Sequence, residues 1–318
     1  MTRTRLLLIL VTTLFGLSLL VGKIWISPAL AWNDPRAFWI ITELRLPRAV
    51  LGLMLGATLG LSGAILQGYL RNPLADPSLV GISSCAALGA VAAIGAGLSA
   101  ALPLFVAGLI GAGGATMLLL ALTRINPSPV SFILGGMVLS ALAGSLVALI
   151  ISLAPNPFAV AEIMSWLMGS LTDRGWSDVG MAVPLMIVGC GLLALSARGL
   201  DALSLGEDVA QTLGVSLPRL QWLLISGLGL GVGAGVAVTG VVGFVGLIVP
   251  HIMRGLYGAR PGAILWPSAL GGAALVLAAD MAVRLTPNAG EVRLGVAMAL
   301  IGAPFFLWLL VRRRALWA

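Results

Sequence analysis

The 318-residue chain is 59% hydrophobic and only 9% charged, with a mean hydropathy of +1.10. Soluble domains carry roughly a quarter charged residues, so the composition excludes a soluble globular protein and describes an integral membrane protein. The net charge of +7 does not point to nucleic acid, because the basic residues stand singly at the ends of apolar runs. Cys85 and Cys190 each sit inside an apolar run and His251 is the lone histidine, which excludes a disulfide framework and a multi-histidine metal cluster.

A charge at the centre of a membrane helix costs about 3 kcal/mol on insertion scales, so charge-free gaps mark where spans can lie. The first gap runs from Arg5 to Lys23. Arg3, Arg5 and Ala29-Leu30-Ala31 around it would also suit a cleavable signal; the segment is read as a retained first span, with Lys23 snorkelling at its end. Arg48 to Arg71 follows, with 22 uncharged residues, about 33 Å of helix and the thickness of the hydrocarbon core. Asp76 to Arg124 leaves 47 residues for two spans, broken near Ser99 to Pro103. Arg124 to Glu162 leaves 37, one long span ending at Pro155-Asn156-Pro157. A single span then occupies Asp178 to Arg198. Arg219 to Arg254 leaves 34 residues, two spans only if the second is short, and Gly243, Gly246 and Pro250 mark a broken or re-entrant helix. Arg260 to Asp280 and Arg293 to Arg312 complete a predicted all-α, ten-span, single-domain chain.

Ten spans put both termini on one side. With that side in the cytoplasm, eleven of the eighteen basic residues lie inside (Arg3, Arg5, Arg71, Arg124, Arg198, Arg219, Arg254, Arg260 and Arg312 to Arg314) and seven outside, the orientation the positive-inside rule favours. Glycines crowd the spans, as at Gly227, Gly229, Gly231, Gly233 and Gly235, where small residues let backbones approach. Leu46-Pro47-Arg48 recurs as Leu217-Pro218-Arg219, and the same offset pairs Gly56 with Gly227 and Gly60 with Gly231. The copies run in opposite directions across the membrane, as inverted repeats in transporters do.

The only lysine, Lys23, has no Ser or Thr after it, so no Walker A loop exists here. No carboxylate falls centrally in a predicted span, where ion-coupled carriers keep one. A transporter lacking both needs an energised partner. An intramembrane enzyme would have to use His251 and Asp280, but nothing in the sequence brings them together and no nucleophile motif accompanies them.

The longest polar interior loop, Arg198 to Arg219, carries Leu203, Leu205, Val209, Leu213 and Val215 among Asp201, Glu207 and Asp208. This suits two short amphipathic helices broken near Gly206 and Gly214, either a solvated connector or a knob for a cytoplasmic partner. Outside, Arg45, Arg48 and Arg284 run against the positive-inside bias. They either capture an acidic protein surface, snorkel to lipid phosphates, or pair with Glu43 or Glu291.

Six motifs in order carry a family resemblance: RLPR at 45–48, QGYLRNPLADPSLVGISS at 67–84, WLMGSL at 166–171, LGEDVAQTLGV at 205–215, GFVGLIVPHIMR at 243–254 and LGVAMALIGAPFFLWLL at 294–310. The chain resembles the FecCD family, permease subunits of type II ABC importers for iron complexes, haem and vitamin B12. The resemblance implies a homodimer or paired paralogue, two ATP-binding subunits that hold ATP and Mg, a periplasmic binding protein, and no cofactor in this chain. It implies a bacterial inner-membrane location with both termini cytoplasmic. Arg45, Arg48 and Arg284 match residues that dock the binding protein. Asn72 matches one cytoplasmic gate, and Asn126 to Ser131, with Ser128, the other, although Pro129 departs from the small polar residues some members carry there. Leu205, Gly206, Glu207 and Gly214, in the 198–220 loop, match the ATPase-coupling helices. Arg293 stands where members often have proline. A ferric siderophore is the expected cargo, then vitamin B12, then haem; the competing class is an ion-coupled secondary carrier.

Overall fold

The computed structural model describes residues 2–125, 128–286 and 292–314. Fifteen α-helices occupy them: α1 (Thr2–Leu20), α2 (Pro28–Asn33), α3 (Pro35–Trp39), α4 (Leu46–Tyr69), α5 (Ile82–Gly95), α6 (Ala101–Ile125), α7 (Pro129–Ser152) and α8 (Pro157–Leu167). The second half holds α9 (Trp176–Leu195), α10 (Ala197–Leu203), α11 (Glu207–Thr212), α12 (Leu217–Thr239), α13 (Val245–Tyr257), α14 (Pro261–Arg284) and α15 (Leu294–Arg314). A π-helical turn, Ile40–Arg45, feeds α4, and a 3₁₀ turn, Pro77–Val80, precedes α5. Among the described residues there is no strand.

Each predicted span coincides with one helix: α1, α4, α5, α6, α7, α9, α12, α13, α14 and α15. Among the described residues seven helices are long and apolar enough to cross a membrane. Helices α5 and α13, of 14 and 13 residues, reach only about 20 Å at 1.5 Å per residue. The break expected around Gly243 falls at 240–244, where Gly240 and Phe244 take positive φ of 72° and 68°; Gly246 and Pro250 lie inside α13 instead. Pro155-Asn156-Pro157 ends α7 as expected but also starts the unforeseen α8. Asn156 accepts from the Ala159 N–H at 2.9 Å, and Pro157, with no N–H of its own to satisfy, occupies the first turn.

Helices α4, α12 and α14 are the buried pillars, while α1 and α7 expose most of their surface. In lipid, close backbone contact must replace the hydrophobic effect as the force between helices. The pair α4–α14 depends on it: a Cβ on Gly56 would stand 2.3 Å from the Gly272 carbonyl oxygen, and one on Gly272 2.0 Å from that of Gly56. The echoed Leu-Pro-Arg segments start α4 and α12, each with proline in the first turn. Gly227 and Gly231 of α12 abut Gly189 of α9, as the packing reading of that glycine series requires.

Candidate functional site

At the end of the bundle expected to face outward, Arg48 opens α4 and Arg284 closes α14, and both reach the same carboxylate. Asp280 is 1% exposed. Its Oδ1 accepts from Arg48 Nε at 3.0 Å and Nη2 at 2.9 Å, and its Oδ2 from Arg284 Nε at 2.9 Å and also from Arg284 Nη2. Arg284 continues to the Ser18 carbonyl at 2.8 Å, pinning the end of α1. Arg45 donates to the carbonyls of Leu19, Leu20 and Ile24 at 3.0, 2.7 and 2.6 Å, the oxygens that the end of α1 and the turn after it leave exposed. The three arginines expected to face a partner therefore hold α1, α4 and α14 together; Arg284 is buried, and Arg45 and Arg48 are partly so. Asp280 was not foreseen as their counterion. It lies inside α14, one turn from its end, and its i,i+4 spacing to Arg284 was the signal that could have found it. Glu291, the alternative partner weighed from sequence, lies outside the described residues. Arg293 donates to Ser165 Oγ of α8 at 2.6 Å.

At the opposite end, expected to face inward, Asn72 is exposed and its side-chain oxygen accepts from the Leu74 N–H at 3.0 Å, forming a turn rather than a long-range contact. The same loop carries buried Asp76, whose Oδ1 accepts from the Ser78 N–H at 2.9 Å and whose burial pushes its carboxyl above the usual range. It ends in the 3₁₀ turn, which packs on α7: a Cβ on Gly136 would meet Val80 backbone at 2.8 Å. Ser128 caps that same α7, accepting from the Ser131 N–H at 3.1 Å. The two loops expected to form the gate thus touch one helix; Asn126 lies outside the described residues.

The 198–220 loop folds as anticipated into two short helices. Gly206, with φ of 122°, separates α10 from α11, and Gly214, with φ of 83°, ends α11, conformations that L residues adopt only under strain. Leu203 and Ala210 face inward, while Leu205 and Leu213 are 65% and 62% exposed beside exposed Glu207. One link was missed: Arg71, held at φ of 48°, donates through Nη2 to the Leu203 carbonyl at 2.6 Å. The residue before Asn72 is therefore bonded to the last residue of α10. His251 and Asp280 have separate surroundings, the histidine ring meeting Phe305 edge-on at 5.9 Å between centroids.

Residues 7–312 match the FecCD transport family. The chain belongs to that family. It is 41% identical to the Fe(3+) dicitrate transport system permease protein FecD of Escherichia coli (strain K12) over 280 residues, covering 87% of this chain and 86% of that one. It is 38% identical to the hemin transport system permease protein HmuU of Yersinia pestis, covering 97% and 95%, and 38% identical to the vitamin B12 import system permease protein BtuC of Vibrio cholerae, covering 93% and 89%. A solved structure described as an inward-facing conformation of a metal-chelate type ABC transporter superposes with a TM-score of 0.90 at 33% identity, covering 98% and 99%. This FecCD member is a multi-pass ABC importer permease of the metal-chelate type.

Proposed function

We propose that this permease carries a ferric siderophore across the bacterial inner membrane, with vitamin B12 and then haem as the alternative cargoes, and that both of its termini are cytoplasmic. It works as a dimer with a second copy or paralogue, two ATP-binding subunits and a periplasmic binding protein, and performs no chemistry on the cargo. The observation that carries the reading is the bond from Arg71 to Leu203. It gives a knob with exposed Leu205, Val209 and Leu213 a direct connection to the loop of Asn72. ATP-driven movement of a subunit seated on Leu205, Gly206, Glu207 and Gly214 would pull that loop, and α7 would carry the motion to Ser128. Arg45, Arg48 and Arg284 serve docking from beneath, fixing the helices whose outer ends the binding protein meets.

The test is reconstitution in vesicles with the ATPase and binding protein. ATP-dependent accumulation should follow delivery of ferric siderophore, and cobalamin-loaded or haem-loaded binding protein should stimulate ATP hydrolysis less. Stimulation by cobalamin or haem alone would reassign the cargo. Uphill accumulation by the permease alone under an ion gradient would replace the reading with a secondary carrier.

A further inference from the structure

Beside the knob, Arg71, Arg254 and Arg260 line one cleft of about 600 Å³ together with Gly68, Ser204 and Pro261. That volume is in the range of small-molecule sites. None of the described residues lining it is acidic. The carboxylate that meets the group from outside, Asp201, is already engaged: its Oδ2 accepts from Arg260 Nε and Nη2, both at 2.8 Å, and its Oδ1 from the Gly262 N–H at 2.7 Å. A fourth guanidinium, Arg3 of α1, donates to the Leu256 carbonyl near the end of α13. A guanidinium has five donors, and the contacts described engage one nitrogen of Arg71 and two of Arg260.

Depth in the membrane decides what anion fits. Arg71 follows the end of span α4 by two residues, and Arg260 immediately precedes span α14. Arginines at the ends of spanning helices lie at the level of the lipid phosphates. Helix α13, which contributes Arg254, also exposes Ile252 and Leu256, apolar surface that acyl chains can cover. We propose that this cleft holds the phosphate of an anionic phospholipid, phosphatidylglycerol or cardiolipin, as basic pockets between membrane helices on the cytoplasmic side do. The site is independent of which cargo the permease carries.

Native mass spectrometry of the full-length permease in detergent, titrated with phosphatidylglycerol or phosphatidylcholine, tests the proposal. Wild type should retain one phosphatidylglycerol per chain and no phosphatidylcholine at the same concentration. The double variant Arg254→Gln/Arg260→Gln should bind phosphatidylglycerol on the order of thirtyfold more weakly, each cation near the head groups being worth about fivefold. Arg254→Lys/Arg260→Lys should retain most of the affinity, which separates lost charge from lost fold. Equal retention by wild type and the Gln variant, or equal retention of the two lipids, overturns the proposal. Displacement of the lipid by millimolar inorganic phosphate would reassign the cleft to the free ion. Displacement by the ATPase subunit, with weakened ATPase assembly in the Gln variant, would reassign it to an acidic protein surface.

Discussion

The two ends of this permease use arginine in opposite ways. At the end proposed to face outward, Arg48 and Arg284 are enclosed around Asp280, and the ion cluster joins three helices. At the end proposed to face inward, Arg71, Arg254 and Arg260 surround an open cleft, and Arg260 is 75% exposed in its pair with Asp201. Burial sets what each arrangement can do. A buried ion cluster fixes geometry, because losing any member strands a charge where water cannot solvate it. An exposed one costs little to open, so it can exchange partners during a transport cycle or hold a ligand.

The largest effect should come from breaking the outer cluster. Asp280→Ala leaves two guanidiniums without their counterion and should destabilise the protein by about 3–5 kcal/mol, read as loss of the folded fraction in a detergent-denaturation series. The triple variant Arg48→Met/Asp280→Leu/Arg284→Met should recover much of that loss, since apolar replacement of a whole buried cluster is often neutral or better. If Asp280→Ala alone were harmless, the outer end would not be the rigid one.

Next in size is a break midway between the ends. Gly56→Ala places a methyl group 2.3 Å from a backbone oxygen of α14 that no rotamer change can move away. Separation of α4 from α14 should cost about 1–3 kcal/mol, measured in the same series. Gly113→Ala, where an added Cβ meets nothing within 4 Å, is the control and should match wild type.

A third variant acts on coupling more than on stability. Arg71→Ala removes the bond to Leu203 and leaves the left-handed backbone at that position in place. Transport per ATP hydrolysed should fall severalfold while the melting curve changes little, measured as cargo accumulated against phosphate released in reconstituted vesicles. Arg71→Lys should restore part of it, because an ammonium can still donate to a carbonyl.

The parts of this molecule that were legible beforehand are those written in one stretch of chain. Charge-free gaps gave the ten helices, and Gly206 and Gly214 gave the two-helix knob, because glycine at positive φ and a missing charge are local signals. Apart from the i,i+4 spacing of Asp280 and Arg284, the partners of the arginines were not legible. Arg48 and Asp280 are 232 residues apart and Arg71 and Leu203 132 residues apart, and no spacing rule connects either pair. The positive-inside rule weighs each cation only by its side of the membrane, so it carried no sign that Arg48 and Arg284 share one buried carboxylate. The proline pair at 155–157 was legible only in part: it ends α7 as expected, and it also starts α8, which its residues did not announce.

The smallest effect should come from the inner pair. Asp201→Asn removes the carboxylate from Arg260 but keeps an oxygen for the Gly262 N–H, and both side chains have water at hand. Its melting curve should overlay that of wild type at physiological salt, because an ion pair with one partner this exposed is worth about 0–1 kcal/mol. Salt rather than pH is the lever that separates the two ends. The hydrogen bond that Arg260 donates to Asp201 holds the guanidinium above its ordinary value, so the guanidinium would lose its charge only as the pH rises through that raised value, beyond any range in which the protein is handled. Raising the ionic strength should therefore erase any difference between Asp201→Asn and wild type while leaving the deficit of Asp280→Ala intact, because ions reach the exposed pair and not the buried cluster. Equal salt sensitivity of the two variants would mean that water enters the outer cluster as freely as the inner one, and the contrast between strut and cleft would be lost.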